Sequence, residues 1–161
     1  MAVYVLTMQS VTGPEISMSI EIQGLTPLLS VFDMCRALAF YRDLLGCSVI
    51  QTSPSLSSNS DHVNWVMLRL GDATFMLNTA YDPEDQPSAP EPARFAGHRD
   101  TTLYFHCPRV DDAYRELRER GLEIPAPSIA PYGMKQLYIS DPDENGLCFQ
   151  WPASSNHASQ E

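Results

Sequence analysis

Lysine is almost missing from this chain: Lys135 is the only one in 161 residues, and ten basic residues face twenty acidic ones for a formal net charge of −10. Nucleic-acid binders neutralise phosphates with clustered Lys and Arg, so this balance argues against a nucleic-acid partner. It argues equally against docking on an anionic membrane. No segment approaches the ~18 consecutive apolar residues of a bilayer-spanning helix. The first basic residue is Arg36, so the N-terminus lacks the positive start of a secretory signal. Cys35, Cys47, Cys107 and Cys148 show no CxxC spacing, and the expectation is four reduced thiols in a cytoplasmic protein. A cationic or neutral small molecule suits this charge better than a polyanion.

What is present is enough for a core. Apolar residues make up 43% of the sequence, which is incompatible with disorder throughout. Residues 1–23 read as a loose arm, with one strand at 16–22. The run 25–32 is short, apolar and Pro-punctuated, as strands are. Asp33 is a good N-cap for a helix through Leu45, in which Met34, Ala37, Leu38, Tyr41 and Leu45 recur at helical steps. Gly46 stops it. Residues 47–53 read as a strand and 54–62 as a polar loop. The runs 64–70 and 73–78 flank Gly71-Asp72 and read as a hairpin with a type II′ turn. Four prolines between 81 and 100, at 83, 87, 90 and 92, mark a linker.

After the linker the order recurs: a strand at 102–106, a helix at 109–120, Gly121, extended chain at 122–125, a strand at 135–140, then D-P-D-E-N-G (141–146) and a strand at 147–151. Val31, Met34, Ala37 and Leu38 fall on Cys107, Val110, Ala113 and Tyr114 at a shift of 76, while Gly46 falls on Gly121 and Gly71 on Gly146 at 75. An internal repeat follows. The fold class is α+β: two tandem βαβββ modules, 24–80 and 101–151, joined by a Pro-rich linker at 81–100 and followed by a polar tail at 152–161. Arg109 stands where the second helix would have a cap. Asp111 and Asp112 in its first turn suit the helix dipole instead.

Two such modules, with F-Y-R-D-L-L-G (40–46) closing the first helix and D-P-D-E-N-G in the last hairpin, resemble the vicinal oxygen chelate superfamily, which holds the glyoxalase, bleomycin-resistance and extradiol dioxygenase proteins. The resemblance covers about residues 24–151. It implies a curved mixed sheet with its helices on the convex side and a concave pocket, usually in a dimer, so a homodimer is expected. It also implies, in metal-dependent members, His on each first strand and Glu on each last strand. The matching positions here are Thr26, Met76, Thr102 and Cys148. Hydroxyls, a thioether and a lone thiol do not make a divalent-metal site, so no metal and no cofactor are expected.

Strand alternation then assigns faces. Val66, Leu68, Leu70, Leu137, Ile139, Leu147, Phe149 and Trp151 are expected against the helices. The concave face receives Trp65, Met67 and Arg69, Met76 and Asn78, Tyr104 and His106, Gln136 and Tyr138, and Cys148 and Gln150. Aromatic and sulfur-bearing surface with a few amides has the composition of a small-molecule site. The ligand-binding set is therefore Trp65, Met67, Met76, Asn78, Tyr104, His106, Tyr138, Cys148 and Gln150, with Trp65 and Tyr104 as walls from different modules. Cys148, mid-strand, reads as an inert thiol. The expected function is metal-independent binding of a hydrophobic or cationic small molecule, as in bleomycin-resistance proteins. The alternatives are a glyoxalase-like lyase or isomerase using His106 as acid–base, and a dimerisation module whose concave face is filled.

Overall fold

The computed structural model describes residues 23–56, 61–82 and 84–153. The expected strand at 16–22 and nearly all of the polar tail lie outside them. The elements run β1 (Leu28–Val31), α1 (Met34–Leu38), a π-helical continuation (Ala39–Leu44), β2 (Ser48–Thr52), β3 (Trp65–Leu70) and β4 (Ala73–Thr79). They continue with α2 (Pro92–His98), β5 (Thr102–His106), α3 (Val110–Glu119), β6 (Ser128–Ile129), β7 (Met134–Ser140) and β8 (Gly146–Pro152). Two four-stranded mixed sheets result, in the orders β1-β4-β3-β2 and β5-β8-β7-β6. Each is a βαβββ module: the first strand pairs parallel with the last and the other pairings are antiparallel. The two modules do not share one sheet. No strand of one pairs with a strand of the other.

Local chemistry explains the ends of the elements. The Asp33 carboxylate accepts the Arg36 N–H at 3.1 Å and caps α1. The helix then widens into π geometry, Leu45 N–H donating to the Phe40 carbonyl. This turn buries the adjacent Phe40 and Tyr41 together. Gly71 has φ 59°, and Glu144 is the only described non-glycine residue with positive φ. Positive φ at the first turn residue and not at Asp72 fits type II′. Gly146, its expected counterpart in the repeat, has a different duty. A Cβ there would lie 2.6 Å from Thr102 Oγ1 and 3.0 Å from the Thr101 carbonyl, so glycine lets β5 and β8 start side by side.

The core lies between the sheets. Leu29, Val31, Val66, Leu68, Phe75 and Leu77 of the first sheet join Leu137, Ile139, Leu147 and Phe149 of the second in one cluster with α1 and α3. Fully burying each such side chain contributes about 1.5–3 kcal/mol. Phe75 meets Phe105 edge to face at 6.0 Å between centroids, so the helix-side faces of the two sheets look toward each other. A polar latch also joins the modules. Asp141 accepts the Tyr41 hydroxyl at 2.8 Å, the N–H groups of Asp143 and Asn145, and the Asn145 amide. Asp143 accepts the Phe32 N–H at 2.8 Å.

Three expectations are corrected here. The Pro-rich segment is more than a linker: Pro92 sits in the first turn of α2, where its fixed φ favours a helix start. It is also fastened down, since Gln86 donates to the Phe32 carbonyl and His98 Nδ1 to the Asp143 carbonyl. Residues 122–125 form no strand, and the second module's short edge strand is Ser128–Ile129 instead. Trp151 does not seal the helix side. It is 41% exposed at the end of β8, in a surface cleft with Ile129, Lys135 and Arg109. Among the described residues no helix is long and apolar enough to cross a membrane.

Candidate functional site

The register shows which side chains share a face. In the first sheet Leu28 and Met67 flank Met76, Ser30 and Trp65 flank Asn78, Gln51 lies opposite Met67, and Arg69 lies between Ser48 and Thr74. In the second, Tyr104 and Tyr138 flank Cys148, His106 and Gln136 flank Gln150, and Ser128 lies beside Gln136. Met67 and Met76 in one sheet therefore correspond to Tyr138 and Cys148 in the other, and Trp65 and Asn78 to Gln136 and Gln150. Both sets lie opposite the faces on which Phe75 and Phe105 meet.

The second face carries a hydrogen-bonded network of its own. Tyr104 and Tyr138 pack edge to face at 6.3 Å with their hydroxyls 3.2 Å apart. The Tyr138 hydroxyl donates to Gln136 Oε1 at 3.3 Å, and Gln136 Nε2 donates to Gln150 Oε1 and to the Tyr132 hydroxyl, each at 2.8 Å. Gln136 is buried, whereas Tyr104 is 51% and Tyr138 43% exposed. The hydrogen bond to Tyr104, with some desolvation, pushes the Tyr138 phenol well above its usual range. The Tyr138 phenol is therefore neutral at physiological pH. The first face is softer: Trp65, Met67, Met76 and Asn78 are all half-buried, and the Asn78 amide donates to the Thr79 carbonyl.

The expected site residues thus form two sets. Trp65, Met67, Met76 and Asn78 are together on one sheet, and Tyr104, His106, Tyr138, Cys148 and Gln150 on the other. The chain does not bring the two sets together. Trp65 and Tyr104 lie on different modules and face away from the shared core. Cys148 has no exposed surface and forms the floor beneath the two tyrosines. Burial pushes its thiol up, offset in part by the Tyr138 hydroxyl. His106 is exposed, and among the described residues its ring has no hydrogen-bond partner, so nothing orients it as a base. Tyr132 was missed in the sequence because it stands in the turn before β7, where alternation assigns no face.

The metal positions do not fit a metal. Thr26 precedes β1 and is exposed, and the other three offer a hydroxyl, a thioether and a buried thiol held above its usual pKa. Hard divalent ions want carboxylate and imidazole donors, which this set lacks. No group of three or more His, Cys, Asp or Glu suited to an ion occurs among the described residues. A cleft of about 710 Å³ lies between the Gly71-Asp72 turn and the α3 side of the second module, and Tyr104 and His106 line it together with Asp72, Asp112 and Glu116.

Comparison with known proteins agrees with this architecture. A bleomycin-binding protein solved with bleomycin superposes with a TM-score of 0.56 at 20% identity, over 80% of this chain and 98% of that one. An antibiotic-binding protein, TnmS3 from Streptomyces sp. CB03234, gives 0.55 at 24% identity, over 84% and 99%. Lactoylglutathione lyase from Agrobacterium tumefaciens gives 0.56 at 18%, over 81% and 94%. At these identities the likeness establishes the fold. No curated protein matches in sequence. The family model for the glyoxalase/bleomycin resistance protein/dioxygenase superfamily matches residues 24–149, and the chain belongs to that superfamily.

Proposed function

We propose that this protein binds a small hydrophobic molecule without a metal and works as a homodimer, each pocket closed by the first sheet of one protomer and the second sheet of its partner. The observation that carries this reading is the outward placement of the two faces. Trp65, Met67 and Met76 on one side and Tyr104 and Tyr138 on the other leave large apolar surface half-covered on strands. Neither face alone is a cavity. Apposed, they would supply aromatic and thioether walls with a few amides, as small-molecule pockets do. The same fold is used for binding in the bleomycin-binding and antibiotic-binding proteins, which is compatible with this reading, as it is for chemistry in the lyase.

The lyase or isomerase alternative needs a proton-transfer group held in place. His106 lacks an orienting partner, and the raised Tyr138 phenol is unsuited to act as a base. Titration of the purified protein with a panel of uncharged and charged polycyclic aromatics, followed by tryptophan fluorescence and light scattering, tests the proposal. Saturable quenching by a dimer supports it. A monomer that quenches with nothing overturns it.

A further inference from the structure

An acidic protein is expected to show carboxylates everywhere, yet the described strand residues of its two outward faces include none. The carboxylates near them are Asp72, Asp112 and Glu116, which line the cleft that Tyr104 and His106 also line. On the first sheet the face consists of Leu28, Ser30, Ser48, Gln51, Trp65, Met67, Arg69, Thr74, Met76 and Asn78 by register. On the second it consists of Thr102, Tyr104, His106, Ser128, Met134, Gln136, Tyr138, Ser140, Cys148 and Gln150. Among the described residues no Asp or Glu belongs to either set, although the chain has twenty. Arg69 is the one formally charged member, at the end of the sheet beside the β3–β4 turn.

We infer that the ligand is an uncharged planar polycyclic aromatic carrying carbonyl or hydroxyl oxygens along one edge. This rests on the binding role proposed above and specifies its ligand. A desolvated cation needs a counter-charge that neither face offers, and stacking on Trp65 or Tyr104 alone does not replace lost hydration. The net charge of −10 attracts cations from a distance, but at physiological ionic strength that field decays within about 8 Å and does not alter the contact. The same field opposes an anion, and Arg69 at the lip is its only local answer. What the faces do offer matches a neutral flat ring system. Indole and thioether surface stacks against its plane. In the Tyr132–Gln136–Gln150 and Tyr104–Tyr138 hydroxyl and amide ladder the Gln136 amide and the Tyr138 hydroxyl already donate internally, which leaves the Tyr132 hydroxyl and the Gln150 amide as donors for oxygens on its edge.

Three acridines of one shape separate the possibilities: neutral acridone, cationic 9-aminoacridine and anionic acridine-9-carboxylate. In a Trp151→Phe background Trp65 is the sole tryptophan, and its quenching reports the first face. Acridone is expected to saturate, with each charged analogue at least about tenfold weaker. Tyr132→Phe, which keeps the ring and removes the hydroxyl, is expected to weaken acridone about three- to tenfold with at most a small change in thermal unfolding. Asn78→Asp, which adds a carboxylate beside Trp65, is expected to shift preference toward 9-aminoacridine. Tighter or equal binding of 9-aminoacridine or of the carboxylate by the unaltered face would overturn the ligand class while leaving the binding role intact. Failure of all three to quench, in a protein that is also monomeric, would overturn both.

Discussion

Tyr104 and Tyr138 stand side by side because both pair with Cys148 from opposite sides, and their hydroxyls meet at 3.2 Å over it. This makes the ladder testable without harming the fold. Trp65→Ala should weaken an aromatic ligand about 5- to 150-fold, the equivalent of about 1–3 kcal/mol of stacking. The melting temperatures of Trp65→Ala and Tyr104→Ala should barely move, since both rings lie off the core; loss of the fold in both would refute the assignment of faces. That assignment was legible in the sequence wherever a strand alternates cleanly, as β3 does from Trp65 to Leu70. At Trp151 it gave the side, beside the first turn of α3, but not the exposure at the strand's end. It also overvalued Cys148, since alternation gives a side but not the rings stacked above it.

Between elements, the repeat was legible through the helices and lost afterwards. Val31 to Leu38 match the second module at a shift of 76, but register equates Met76 with Cys148, a shift of 72. The reason is unequal connections: Gly46 to Trp65 spans 19 positions and Gly121 to Gln136 only 15, and the longer Asp141–Asn145 connection in the second hairpin restores one. Glycines 71 and 146 therefore coincide in the count and differ in work. Gly146→Ala should drive β5 from β8 and lower the melting temperature by several degrees, whereas Asp33→Ala should cost about 1 kcal/mol, or about 2–4 °C, through the lost cap. Thermal unfolding of the pair checks both, and an unaffected Gly146→Ala would contradict the close approach. The helix at Pro92–His98 was hidden because its prolines read as breakers, and only one of them occupies a helix start.

Across the whole molecule, the latch between modules carries a pH signature. Burial pushes the Asp143 carboxyl above its ordinary value, against the opposing Phe32 N–H. A raised folded pKa means the native state holds this proton more tightly than the unfolded chain. The Asp143 contribution to stability is therefore fullest in acid and declines as pH rises from the ordinary carboxylate range through the raised value. Asp143→Asn keeps an acceptor for Phe32 and does not titrate. In urea unfolding across the acidic range, its stability should gain on the unaltered protein as pH rises and then level off. A variant-minus-unaltered difference in stability that falls as pH rises would refute this.

The arrangement of faces leads to the most direct test. Trp65→Ala and Tyr138→Ala chains each spoil one wall of every pocket. If each pocket is built from two chains, mixing them equally and allowing exchange forms heterodimers in which one pocket carries both defects and the other none. With random pairing, about a quarter of all pockets should regain unaltered affinity for an aromatic ligand, read by calorimetry as a tight fraction absent from either variant alone. A mixture that binds no better than its components would contradict a pocket shared between protomers.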